Sequence, residues 1–204
     1  MMFSGIIFGT LAAGAAINGA QAGLSARTQL PEGYTLVPMK WTGAAVPSGP
    51  NVTLEGTIEE VKAQIDEARA AAGVAPVLAG TTPSDPDSPL VKRARNSYCN
   101  MGLDDPAHLE QGISYLRGVE GDCGLDGGSH ICGRISCSYN SAIYWCNDNE
   151  HYSSWRCSDF ADVADDIVTI CKIVDNNSGI ADWTAWGEAI DDQGFTVKVG
   201  GDRC

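Results

Sequence analysis

Cysteine is absent from the first 98 residues of this 204-residue chain, and all eight cysteines lie between Cys99 and Cys204. The chain also lacks a C-x-x-C pair, the spacing that is typical of structural zinc sites. An even cysteine count in an exported chain instead predicts four disulfides, whose pairing the sequence leaves open. The predicted disulfide residues are Cys99, Cys123, Cys132, Cys137, Cys146, Cys157, Cys171 and Cys204.

Basic residues are scarce. The chain has 13 Lys and Arg against 26 Asp and Glu, a formal charge of −13. In residues 94–204 the balance is 7 against 18, a charge of −11. Proteins bind phosphate backbones and anionic lipids mainly through cationic side chains, so nucleic acid and anionic membranes are poor candidates for a partner.

Local catalytic signatures are missing as well. The sequence contains no G-x-S-x-G elbow and no H-E-x-x-H helix. A secreted ribonuclease needs a histidine or glutamate beside a cation, and His130, Arg134 and Arg156 are the candidates for such a group. Nothing in the sequence brings these three together, so we expect a protein without catalytic residues, metal or cofactor.

No run of residues is long and apolar enough to predict a membrane span. Residues 1–22 are uncharged and apolar, end in the small-residue triplet Ala20-Gln21-Ala22, and are rich in glycine. This pattern predicts a signal peptide cleaved after Ala22, and hence a secreted, extracellular protein without stable membrane insertion. A membrane anchor is the alternative, but the run is short of the roughly 20 strongly apolar residues that an anchor needs.

Residues 23–93 are predicted to be a propeptide. Ile58, Val61, Ile65 and Ala68 repeat at helical spacing behind a capping box at Thr57, which indicates a helix over residues 57–72. Residues 80–89 are rich in Pro, Ser and Asp, which favours a flexible linker that a protease can reach.

The pair Lys92-Arg93 follows this linker directly and predicts a cleavage site for a processing protease of the secretory pathway. A chance pair on a surface loop is the alternative interpretation. Cleavage there leaves residues 94–204 as the mature, cysteine-rich domain, which we expect to be a monomer.

The predicted order of elements in residues 94–204 is helix, hairpin, helix, hairpin. The segments are a helix from Asp105 to Gly118, a glycine-rich loop over 121–129, strands over 130–139 and 142–147, a helix capped by Ser158, and strands over 185–190 and 194–199. This order predicts an α+β fold with one antiparallel sheet of two hairpins and both helices packed on one face, stapled by disulfides.

Acidic residues crowd the start of the second predicted helix. Asp159, Asp162, Asp165 and Asp166 are expected to point outward and to stabilise the positive end of the helix dipole. A calcium site or a catalytic role is the less favoured interpretation, because calcium ligands usually converge from a loop.

Five aromatic residues are candidates for a binding surface, since exposed rings can stack on sugars or anchor a protein interface. They are Tyr144, Trp145, Trp155, Trp183 and Trp186. Core packing is the favoured role for at least three of them, and alternation along the strand places one member of the pair 144–145 in the core. The sequons at Asn51 and Asn176 predict N-glycosylation sites in loops.

The segment CGRISCSYNSAIYWCND over residues 132–148, the helix ending at Cys171 and the strand before Cys204 together carry a family resemblance. The chain resembles small secreted cysteine-rich fungal proteins that are effector-like and distantly similar to killer-toxin and necrosis-inducing families. The resemblance covers residues 98–204 and implies an α/β sandwich that acts outside the cell on a host or competitor. Killer toxins of this kind use basic side chains, whereas this chain is acidic.

The expected function is therefore binding rather than catalysis. We expect a secreted effector or toxin-like protein that binds an extracellular protein or glycan on a host or competitor cell. The alternatives are a small secreted hydrolase that acts on RNA or glycans, and a carbohydrate-binding wall protein.

Overall fold

A computed structural model describes residues 30, 32–80, 85, 87–94, 96–173, 183–191 and 194–204. The helices are α1 (Ile58–Ala71), α2 (Pro89–Arg93), α3 (Pro106–Gly118) and α4 (Cys157–Ile170). The strands are β1 (Thr35–Val37), β2 (Lys40–Ala44), β3 (Asn51–Glu55), β4 (Asn96–Asp104), β5 (Asp122–Leu125), β6 (Ile131–Ser138), β7 (Ser141–Asn147), β8 (Ser153–Arg156), β9 (Lys172–Ile173), β10 (Trp183–Ile190) and β11 (Phe195–Gly201).

These strands form two sheets. The larger has seven strands in the order β1-β6-β7-β11-β10-β4, with β9 paired to β10, and the smaller has four in the order β3-β2-β5-β8. The β1–β6 pair is parallel and the other pairs are antiparallel. The predicted α+β class is confirmed, but the single sheet of two hairpins is wrong. The second sheet arises because the region predicted as a glycine-rich loop contains β5, which pairs with β2.

Both predicted hairpins are present. Strands β6 and β7 pair antiparallel, and β10 pairs with β11. The turn of the first hairpin is Tyr139-Asn140, with φ of 50° and 64°, rather than the predicted Asn140-Ser141. Two consecutive left-handed residues suit the twist of a tight hairpin, and asparagine tolerates this conformation well.

Side-chain caps at the starts of α1 and α3 match the sequence pattern. The Thr57 backbone N–H donates to Glu60 Oε2 at 2.8 Å, which completes a capping box. At the start of α3, the Asp105 carboxylate accepts from the Ala107 N–H at 2.9 Å, and Pro106 occupies the first turn.

The start of α4 differs from the prediction. The helix begins at Cys157 with Arg156 at the cap position, so Ser158 is not its cap. Asp159 and Asp162 are buried rather than outward. Arginines compensate them: Arg156 lies 3.1 Å from Asp159, and Arg117 lies 3.2 Å from Asp162. A buried carboxylate needs such a partner, because burial otherwise disfavours its charge.

Four disulfides fasten the fold, and the described residues leave no cysteine free. The bonds are Cys99–Cys171, Cys123–Cys157, Cys132–Cys146 and Cys137–Cys204. Cys99–Cys171 ties β4 to the residue after α4, whereas Cys123–Cys157 ties β5 to the first residue of α4. The small sheet is therefore linked covalently to the helix that packs on the large one.

The segment that precedes the dibasic pair lies in the same core as the cysteine-rich part. Met39, Trp41 and Ile58 are fully buried, and they belong to one apolar cluster with residues such as Phe160 and Trp145. Removal of residues 23–93 by processing remains a prediction. In the uncleaved chain, side chains from this segment form part of the apolar core.

Part of the predicted flexible linker is anchored. The Asp85 backbone N–H donates to Asp162 at 3.0 Å, and the Asp85 carboxylate accepts from Arg156 at 3.0 Å. Ser88 is almost fully buried at the start of α2. Residues 81–84 and 86 lie outside the described residues, so the linker prediction is corrected only at the positions named here.

Candidate binding face

The seven-stranded sheet buries one face under helices. Along β11, Phe195, Val197 and Val199 are buried, whereas Thr196 and Lys198 between them are partly exposed. A side chain on Gly187 would collide with Ile167 of α4, which shows how closely that helix approaches the buried face. Alternating burial of this kind means that, along β11, the sheet is packed on one side and partly exposed on the other.

Helices α1 and α3 approach from the same buried side. In α3, a side chain on Gly112 would reach the Ile143 side chain. In α1, the Glu59 carboxylate accepts from Ser136 Oγ at 2.6 Å and from the Cys137 N–H at 3.2 Å. We call the opposite side of the seven-stranded sheet the open face.

A line of polar side chains crosses the open face. Cross-strand register pairs Tyr98 with Glu188, Glu188 with Lys198, Lys198 with Tyr144, and Tyr144 with Arg134. We call these five residues the polar row. Because neighbouring strands lie roughly 4.8 Å apart, the row runs about 19 Å across five strands.

Charges within the polar row are paired. Lys198 forms an ion pair with Glu188. Arg134 lies 2.9 Å from the buried carboxylate of Asp202, which also accepts a hydrogen bond from the Tyr144 hydroxyl. Burial raises the pKa of Tyr144, and the Asp202 carboxylate raises it further, so this phenol stays protonated as a donor. Counted together with Asp202, the row has no net formal charge, although the chain carries −13.

A less polar line of residues lies beside the polar row. Register places Leu36 next to Cys132, Cys132 next to Cys146, Cys146 next to Thr196, and Thr196 next to Ile190. We call this line the disulfide row, because the Cys132–Cys146 bond lies in it. Leu36 is 39% exposed at its edge. The disulfide itself is buried, so this row adds to the surface of the open face only at Leu36, Thr196 and Ile190.

A pocket of about 310 Å³ lies where the Arg134 end of the polar row meets α1. We call it the edge pocket. It is lined by Leu36, Val37, Pro38, Met39, Gly56, Thr57, Glu60 and Arg134. Seven of these eight residues precede Lys92-Arg93, so the pocket combines the segment before the dibasic pair with the cysteine-rich part.

Tyr144 and Trp145, two of the five candidate binding aromatics, are core residues. Both are fully buried, so the structure places the expected member of the pair in the core and covers the other as well. Strand β7 lies inside the sheet: Trp145 packs against Phe160 under the helices, and Tyr144 lies between Lys198 and Arg134 on the other side.

The other three candidate aromatics have different surroundings. Trp155 packs against Phe195 with ring centroids 6.3 Å apart, and is only partly exposed. Trp186 is partly exposed and lies against Gly201. The side chain of Trp183 lies outside the described residues.

An exposed tyrosine that sequence reasoning missed stands at the end of the polar row. Tyr98 is 54% exposed on β4. Its strand was not predicted, because residues 96–104 contain few of the β-branched residues that mark strands. The sequence did contain one signal for the open face, which is the alternation of apolar and polar residues along β10 and β11.

His130, Arg134 and Arg156 lie in different surroundings. The His130 ring packs edge-on against Tyr34, with centroids 4.9 Å apart. Arg134 is on the open face, whereas Arg156 binds Asp85 and Asp159 beside α4. No contact in the described part of the chain joins any two of the three, so the candidate catalytic group is not assembled.

The predicted modification sites are only partly described. Asn51 is exposed at the first position of β3 rather than in a loop, and Asn176 lies outside the described residues. Lys92 is about half-exposed in α2, whereas Ala22 and the Arg93 side chain lie outside the described part. Glycosylation and processing at these positions remain predictions.

Within the described ranges, His, Cys, Asp and Glu side chains form no group of three or more that could hold a metal ion. The helices seen there are also too short or too polar to cross a membrane. No family model, curated protein or solved structure matches the chain.

Proposed function

We propose that this protein is secreted and binds a neutral glycan chain on the surface of a host or competitor cell, without catalysing a reaction. The ligand lies along the open face, and its main contacts are the members of the polar row that are at least partly exposed: Tyr98, Glu188, Lys198 and Arg134. The observation that carries the proposal is the polar row, which together with Asp202 offers charged hydrogen-bonding groups without net charge.

Charge compensation is the reason to choose a neutral ligand. Lys198 is paired with Glu188, and Arg134 with Asp202, so neither cation is left over to hold an acidic ligand. A phosphate or sulfate polymer would be repelled by the acidity of the rest of the chain. Sugar hydroxyls need both donors and acceptors, and paired charged groups supply both.

The shape of the face suits a chain molecule. An extent of about 19 Å across five strands is several sugar units long. Tyr98 stands exposed at one end, where its ring can stack on the apolar face of a sugar. The edge pocket lies at the other end, and its volume of about 310 Å³ is enough to take a ring substituent.

An extracellular location agrees with the four disulfides and with the lack of a membrane-spanning helix in the described residues. The resemblance to effector-like fungal proteins supports a target on a host or competitor. In this proposal, an effect of the protein on living cells is a consequence of its binding to the glycan.

Retention on insoluble neutral glycans tests the proposal. The full chain is incubated with β-glucan, chitin and cellulose, and the bound fraction is measured against concentration. Replacing Tyr98 with Ala should weaken binding about tenfold, because loss of ring stacking removes about 1 kcal/mol or slightly more. The control is Tyr152→Ala, since Tyr152 is 48% exposed but lies beside β8 in the other sheet, and this variant should bind normally.

Salt separates a neutral ligand from an acidic one. Binding should be unchanged between about 0.05 M and about 0.5 M NaCl, because screening affects only charged ligands strongly. Retention on acidic polysaccharides alone, turnover of the glycan, or equal weakening by both tyrosine variants would each refute the proposal.

A further inference from the structure

The segment before Lys92-Arg93 fills the interior of the protein. Six of its apolar side chains are at most 2% exposed and belong to the common core cluster. They are Met39, Trp41, Ile58, Val61, Ile65 and Leu90. A leader that is discarded after export ordinarily leaves a folded body with its own core, and here that core is shared.

Backbone pairing also crosses between the two parts. Strand β2 lies inside the four-stranded sheet, between β3 of its own segment and β5 of the cysteine-rich part. Its Trp41 is in register with Cys123. Strand β1 pairs in parallel with β6 and forms an edge of the seven-stranded sheet. Removing the segment would leave β5 and β6 with unpaired backbone groups.

Polar contacts complete this interface. Glu59 holds Ser136 and the backbone of Cys137, as described above. Lys40 lies 2.7 Å from Asp126, and the Tyr34 hydroxyl donates to Asp148 at 2.8 Å. These contacts are spread over the two sheets and α1, so the segment is attached along its length rather than at one point.

No covalent bond would join the two parts after cleavage. All eight cysteines lie at or beyond Cys99, and the four disulfides use all of them. The association would therefore depend on burial and hydrogen bonding alone.

We infer that cleavage after Arg93 produces a two-chain protein, in which the chain that ends at Arg93 remains bound as a non-covalent subunit. This subunit supplies most of the edge pocket and the inner strand β2 of the small sheet. The segment is then a working part of the secreted protein rather than a propeptide that is lost.

Controlled cleavage tests this inference. The purified full chain is digested with a dibasic-specific protease, and a Lys92→Ala, Arg93→Ala double variant is the uncut control. A denaturing gel without reductant should show two chains. Gel filtration and native mass spectrometry at about 1 µM should show one species with the summed mass, because an interface that contains a shared core survives dilution.

A cleavage site at a second position makes the test independent of whether the protease can reach Lys92-Arg93 in α2. A protease recognition sequence inserted between residues 82 and 83 should give the same non-covalent complex. Replacing Ile58 with Asp, which puts a charge in the shared core, should release the first chain after cleavage, whereas Val52→Asp at an exposed position should not.

The inference is overturned if residues 94–204 elute alone as a folded, monomeric species after either cut. It is also overturned if the two chains separate on gel filtration, or if they stay linked on denaturing gels until reductant is added. These results concern assembly only, so loss of glycan binding in an intact complex would count against the proposed function and not against the two-chain state.

Discussion

Replacing Trp41 with Ala should destabilise the whole protein and not just the segment that contains it. Trp41 is fully buried in β2 and is in register with Cys123 of β5. The ring fits because Gly43 and Gly121 leave it room: a side chain on Gly43 would come within 2.5 Å of the ring, and one on Gly121 within 2.6 Å. The indole therefore occupies a cradle built by both parts of the chain.

The magnitude follows from burial. Truncation of a buried aromatic residue to Ala typically costs about 3–5 kcal/mol, through lost transfer free energy and the cavity that remains. For a chain of this length each kcal/mol lowers Tm by about 2–4 °C, so Tm should fall by about 6–20 °C. Trp41→Phe should cost less, because the described residues offer no hydrogen-bond partner to the indole N–H.

Thermal unfolding followed by circular dichroism measures the loss, and hydrogen exchange shows where it falls. One cooperative transition should shift, and the amides of β5 and β8 should lose protection together with those of β2, because the strands share a sheet. Val52→Ala, at a position 37% exposed on β3, is the control and should change stability by less than about 0.5 kcal/mol. Normal protection of β5 and β8 in Trp41→Ala would refute the shared core.

Two further predictions concern the links between elements. Replacing both Cys123 and Cys157 with Ser should lower the free energy of unfolding by about 3–4 kcal/mol in a urea titration, because this bond closes a loop of 34 residues; an unchanged midpoint would contradict it. Burial, and then the hydrogen bond to Asp148, raises the pKa of Tyr34 to about 12. The stabilisation from this hydrogen bond should be present below pH about 10 and be lost as pH rises towards about 12. In an ultraviolet titration, the Tyr34→Phe variant should have one tyrosine fewer that ionises at high pH.

Much of the cysteine-rich part could be predicted from sequence, because its signals are local. The capping pattern at Asp105-Pro106 marks α3, and the alternation of Phe195, Val197 and Val199 marks β11. Hydrophobic periodicity and caps depend on neighbours in the chain, so they can be read without knowing the fold.

The second sheet and the shared core could not be predicted in this way. Strand β5 has only four residues, two of them Cys123 and Gly124, and its pairing with β2 depends on distant residues. A lack of cysteine before Cys99 was taken to separate two parts with different roles, but disulfides mark only covalent links. Apolar contacts between the parts leave no trace in the cysteine pattern.

The open face was partly accessible to sequence reasoning. Alternation along β11 identifies Lys198 as pointing away from the core, but its neighbour Glu188 is known only once β10 and β11 are in register. Burial of Tyr144 was missed because a strand inside a sheet can be covered on both faces, here by long side chains and Asp202 on the side away from the helices.

The pairing of β2 with β5 also affects how the chain must be made. The register joins Lys40 to Gly124, so the partner of β2 is synthesised about 80 residues later. At the usual rate of translation this is a delay of about 4–16 s, during which β2 can pair only with β3 of its own segment and the edge that β5 will occupy stays open. We therefore expect the yield of the full chain to be more sensitive to the supply of chaperones than to codon choice.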